Sequence, residues 1–104
     1  MTRKMTFKHP KALKQLLEKG IVATMRNYFL PPLTKVKANN KYDCIVLGST
    51  TATEENIKKL HDISGFGSPE EWLKEAIKIH RGKTPKYIIV VAKLDSTSEK
   101  LKNS

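Results

Sequence analysis

Apolar positions along this chain follow two periods, and the change from one to the other divides it into elements. Leu13, Leu16 and Leu17 recur at i, i+3 and i+4 after Pro10, suited to a first helical position, and before Gly20, suited to a helix end. This spacing predicts a helix over residues 10–19. The run Ile21-Val22-Ala23-Thr24-Met25-Arg26 that follows predicts a strand through Asn27. Alternate side chains of a strand point to opposite faces, so Ile21, Ala23 and Met25 share one face, and Val22, Thr24, Arg26 and the neighbouring Tyr28 share the other. Met5-Thr6-Phe7-Lys8 predicts a short strand before the helix. Pro31 and Pro32 cannot donate to a ladder and end the second strand's region. Val36 between Lys35 and Lys37 predicts a third strand over residues 34–38, closed by the turn residues Asn39-Asn40. Residues 41–48 form a fourth, whose unbroken centre Cys44-Ile45-Val46-Leu47 suggests burial on both faces.

After Gly48 the period lengthens to that of a helix. Thr51 or Thr53 can cap a helix running to about Asp62, with Ile57 and Leu60 inward. Ser68-Pro69-Glu70-Glu71 is a capping box for the next helix, whose buried face is Trp72, Leu73, Ala76 and Ile77 and whose end falls at Gly82. Residues 87–94, beginning Tyr87-Ile88-Ile89-Val90, predict the strongest strand. From Asp95 the chain turns polar, and residues 95–104 are expected to be a mobile tail. Five strands and three helices, with helices inserted between strands, predict an α+β barrel or half-barrel made of one domain over residues 1–94.

Charge changes the picture. The 104 residues carry 20 Lys and Arg against 10 Asp and Glu, a net charge of +10. The excess is concentrated in residues 1–50, where ten basic residues face two acidic ones, while residues 51–86 nearly balance. Such asymmetry is expected of a protein that meets a polyanion on one face. Cys44 is the single cysteine, so no intrachain disulfide forms, and its apolar neighbours place it in the core. No apolar stretch approaches the ~18 residues of a membrane span, and the start lacks a signal-peptide core, which leaves a cytoplasmic location as the expectation.

The row Thr24, Arg26, Tyr28 combines a hydroxyl, a guanidinium and a phenol, the mixture that phosphate-and-base recognition needs. Arg26 can hold a phosphate in its fork or stack on a base; its structural alternative is an ion pair with Asp43 or Asp62. Phe29 offers a second aromatic face or plugs the barrel. Lys8, Lys11, Lys14 and Lys19, with Lys35 and Lys37, are candidates to track a phosphate backbone. His9, His61 and His80 lack metal-site spacing, and neither a metal nor another cofactor is expected. His9 belongs at a helix entrance. Gly65-Phe66-Gly67 reads as a turn rather than a phosphate loop, and Trp72 as core.

The helix ending at Gly20, the strand carrying Thr24 and Arg26, and the later Ser64-Gly65-Phe66-Gly67-Ser68-Pro69-Glu70-Glu71-Trp72 resemble, in their order, the ASCH branch of the PUA-like superfamily. The resemblance spans roughly residues 5–94. It implies a small PUA-like β-barrel of about five strands with three helices, and an RNA-binding or nucleotide-binding cleft. Some ASCH proteins are amidohydrolases acting on N4-acetylcytidine through a Lys, a Thr and a Glu. Thr24 matches the Thr, but the Lys position reads Ile21 or Val22 and the Glu position reads Ser64. Amide hydrolysis needs a matched base and acid, so the expectation is a binding module with RNA or a nucleotide as partner and no catalytic residue. The alternatives are an amidohydrolase on a modified nucleoside, or a basic adaptor for an acidic protein.

Overall fold

The computed structural model describes residues 2–94, an α+β domain built on one five-stranded mixed sheet. In chain order the elements are β1 (Arg3–Met5), α1 (Pro10–Lys19), β2 (Ile21–Arg26), β3 (Lys35–Ala38), β4 (Tyr42–Thr51), α2 (Glu54–Leu60), a 3₁₀ turn (His61–Ile63), α3 (Pro69–Ile79) and β5 (Tyr87–Lys93). The strand order is β1-β3-β4-β5-β2, with β1 parallel to β3 and every other pair antiparallel. The expected tail, residues 95–104, lies outside the described residues.

The termini of the helices follow their sequence signals. Pro10 opens α1, and the preceding His9 caps it by accepting a hydrogen bond from Lys11 N–H at Nδ1 (3.2 Å). Gly20, at φ 78°, ends it in the left-handed region. Thr53 caps α2, and Ser68 caps α3 by accepting from Glu71 N–H at 3.0 Å. The capping box differs in one respect: the Glu71 carboxylate receives the Gly67 N–H rather than that of Ser68 (3.1 Å). Other boundaries move: α2 gives way to the 3₁₀ turn after Leu60 rather than reaching Asp62, and α3 ends at Ile79, ahead of Gly82. The first strand begins two residues before its predicted span and ends at Met5, and the fourth continues past Gly48 to Thr51.

The sheet does not close into the expected barrel. Its edges are β1 and β2, and no ladder joins them. The chain leaves β1 after three residues and returns to the opposite edge only after α1, which packs against β2. Phe7 bridges the seam instead: its N–H donates to Asn39 Oδ1 at the end of β3 (2.7 Å), and its ring lies 5.1 Å from the Arg26 guanidinium on β2. The predicted two-sided burial of β4 is also incomplete. A bulge between Val46 and Gly48 turns Leu47 out, while Cys44 and Val46 stay fully buried. The core beneath is formed by Leu16, Val22, Leu30, Val36, Ile88, Ile89 and Val91, and its burial is the main source of stability.

Candidate functional site

The seam between β1 and β2 opens into a cleft of about 210 Å³. Its walls come from three places: residues 6–9 of the β1–α1 link, residues 23–26 of β2, and the inner face of α3 with Trp72, Ala76, Ile79 and His80. Ala12 of α1 and Phe66, from the turn before α3, complete the lining. The cleft is therefore where the barrel fails to close. Clefts for drug-sized ligands run about 300–1,000 Å³, so this one suits a smaller guest such as one base.

Thr24 and Arg26 stand side by side on β2, as alternation requires, and Arg26 Nε donates to Thr24 Oγ1 at 3.2 Å. That bond and the neighbouring Tyr28 phenol hold the guanidinium of Arg26, which lines the cleft. Burial pushes the Arg26 pKa down, and the Tyr28 phenol opposes the shift, but a guanidinium stays charged. Among the described residues no carboxylate lies within 4.0 Å of it. The two acids that sequence offered as partners are engaged elsewhere, Asp43 with Lys37 at 3.5 Å and Asp62 with His61 at 3.6 Å. The companions of this half-buried cation are thus the Thr24 hydroxyl, the Tyr28 phenol and the face of Phe7, a setting in which a guanidinium has charged donors to offer an anion or a polarised carbonyl edge.

The histidines divide by what they leave free. His9 accepts from Lys11 N–H at Nδ1 and so donates from Nε2 to Glu75 (3.0 Å), with its ring edge-on to Phe66 at 4.7 Å. Both nitrogens are used. His80 gives Nδ1–H to Ala76 O at 2.7 Å, which leaves Nε2 as an acceptor at the cleft wall. His61 is tied to Phe66 O and Asp62, away from the cleft.

Of the predicted binding residues, Lys8, Thr24 and Arg26 meet at the cleft. Tyr28 stands just beyond the end of β2 and is exposed. The other lysines do not converge there. Lys11 is paired with Glu71 and lies over Phe66, Lys14 is paired with Glu18 at 3.8 Å, and Lys37 with Asp43. Lys19 is exposed at the end of α1, and Lys35 lies on β3, three strand positions from β2. Sequence reasoning passed over Phe7, His9 and His80 as cleft residues. The amphipathic register of α3 did mark Trp72 as inward, and it is both core and cleft wall.

Ser64, which the expected resemblance set against a Glu, is fully buried and serves the turn. Its hydroxyl donates to His61 O (2.7 Å) and accepts from Phe66 N–H (3.1 Å). Gly65, at φ 90°, presses that turn onto α1 so closely that a Cβ would stand 2.5 Å from Lys11 O. Among the described residues, no Asp or Glu lines the cleft. Among the described residues there is no group of three potential metal ligands, and no helix is long and apolar enough to cross a membrane. Cys44 is buried, and burial pushes its thiol pKa up. Comparison with protein families, with characterised proteins and with solved structures finds no significant match to this chain.

Proposed function

We propose that this chain is an RNA-binding or nucleotide-binding module of PUA-like, ASCH type, whose seam cleft receives one base or nucleotide. The observation that carries the reading is Arg26: a half-buried guanidinium at a largely apolar cleft, held by Thr24, Tyr28 and Phe7 and without a carboxylate partner among the described residues. A cation so placed contributes most when a ligand supplies the missing acceptor. Phe7, Phe66 and Trp72 give the cleft aromatic walls suited to a planar guest, and the open Nε2 of His80 adds an acceptor for a ring N–H or amino group. Binding explains this lining better than hydrolysis does, because among the described residues the cleft offers no carboxylate and both nitrogens of His9 are occupied.

The test is binding of ribonucleotides, single-stranded RNA and heparin over a salt series, with Arg26→Ala and Thr24→Ala beside the parent. The reading expects RNA to outcompete heparin and Arg26→Ala to remove that preference. Equal binding to every polyanion, unchanged by either substitution, would refute it and leave a basic surface.

A further inference from the structure

The cleft has a rim that its own walls do not explain. Residues 80–86 carry Arg81, Lys83 and Lys86 with no acidic residue between them, and all three are exposed. Among the described residues none of them lies within 4.0 Å of a carboxylate, unlike the paired lysines of α1 and β3. The segment starts at His80, a cleft residue, and ends at Tyr87, whose register partner across the sheet is Arg26. One end thus lies in the cleft wall and the other leads into the strand position beside Arg26. Its backbone is held as well: Gly82 N–H donates to Ile77 O (2.8 Å), Lys83 N–H to His80 O (3.2 Å), and Lys86 O accepts from Ala52 N–H (2.9 Å). Arg81 adopts φ 58°, a left-handed conformation disfavoured for a residue with a Cβ, in a loop that keeps three unpaired cations together.

A second feature lies beside the first. Phe29 is 52% exposed although it is aromatic, and its ring meets Tyr87 edge-on at 5.9 Å and 73°. That contact sets the angle of the Phe29 ring while leaving about half of the residue's surface to solvent. A fixed aromatic face next to a run of cations is the combination that binds single strands, in which bases stack and phosphates are tracked.

We infer that the ligand is a single-stranded RNA segment that continues out of the cleft across this rim. One base occupies the cleft at Arg26, a neighbouring base stacks on Phe29, and the phosphates follow Arg81, Lys83 and Lys86. The inference rests on the RNA-or-nucleotide reading of the cleft and selects the polynucleotide. A duplex keeps its bases paired and stacked inside, so Phe29 has nothing to receive from it; a free nucleotide ends before the rim.

The experiment compares a mixed-sequence single-stranded RNA of roughly 10 nucleotides, within the site sizes of about 4–16 that such surfaces take, with its duplex, ribonucleoside 5′-monophosphates and heparin. Phe29→Ala and the double variant Lys83→Ala/Lys86→Ala are measured beside Arg26→Ala and the parent. The strand is expected to bind more tightly than monophosphates and duplex, and Phe29→Ala to cut that advantage by about five-fold or more. The double lysine variant is expected to lower the slope of log K against log salt by about 1.4. If the strand's advantage is the same in parent and rim variants while monophosphate binding still depends on Arg26, the rim is refuted and the cleft reading stands. If no probe depends on Arg26, both fall. Heparin competing as well as the strand overturns the inference in favour of a basic surface for an acidic protein.

Discussion

Two sets of cations on this molecule look alike in sequence and differ in what they can offer a ligand. On α1 and β3, Lys11, Lys14 and Lys37 each stand against a carboxylate, from Glu71, Glu18 and Asp43. At the cleft and its rim, Arg26, Lys8, Arg81, Lys83 and Lys86 have no such partner among the described residues. Exposed pairs contribute only about 0–1 kcal/mol to stability, yet they cancel the local field that would attract an anion. Pairing, rather than the count of basic residues, decides which cations keep a field to offer an anion. Residues 1–50 hold most of the excess charge, but three of their lysines are neutralised in place.

The sharpest way to break this comparison is to remove the cleft cation. Arg26→Ala is expected to weaken RNA or nucleotide binding at least ten-fold, since a hydrogen bond to a charged group is worth about 1.5–3 kcal/mol. Arg26→Lys is expected to recover little, because an ammonium lacks the planar fork and stacking face. Equilibrium binding with circular dichroism as a fold control measures both.

A second change acts on the frame that holds both sets. Gly65→Ala places a Cβ against the α1 backbone at a positive φ, and the expected cost is about 1–3 kcal/mol of stability, read from denaturant midpoints. An unchanged midpoint would show that the turn carrying Phe66 is not clamped to α1. Lys14→Ala and Lys37→Ala sharpen the contrast from the other side: each should change RNA affinity by less than about two-fold, because each removes a cation already paired at the surface.

The smallest effect is a dependence on pH. Lys11 and the Gly67 N–H hold the Glu71 carboxyl below the usual range, and His9 and Lys78 do the same for Glu75. A carboxyl depressed in the folded state contributes stability that is complete above its unfolded value of about 4.3 and is lost as pH falls through the folded value. Urea midpoints should therefore drop in acid, and Glu71→Gln and Glu75→Gln should flatten that drop. Equal acid sensitivity in both variants and the parent would contradict these assignments.

Much of the fold was legible in local signals. Pro10 and Gly20 marked the ends of α1, Ser68-Pro69 marked the start of α3, and the alternation of β2 put Thr24 and Arg26 on one face. What escaped depends on distant partners. The His9–Glu75 bond joins residues 66 apart in sequence, and no local period announces it. The Leu47 bulge breaks the alternation rule in the middle of an apolar run. The open seam follows from β1 and β2 joining opposite edges, a matter of strand order, and Phe7 became a cleft residue only because of that seam. The lysines of α1 were visible as a cluster, but their carboxylate partners were not all near them in the chain.

Trp72 is the chain's single tryptophan and forms part of the cleft wall, so its emission reports directly on the space beside Arg26. The most direct measurement is a titration of the protein with short single-stranded RNA while that emission is followed, with Arg26→Ala in parallel. A saturable change in the parent, absent or shifted at least ten-fold in the variant, is the predicted result; binding that leaves Trp72 silent and is equal in both proteins would contradict a cleft built around Arg26.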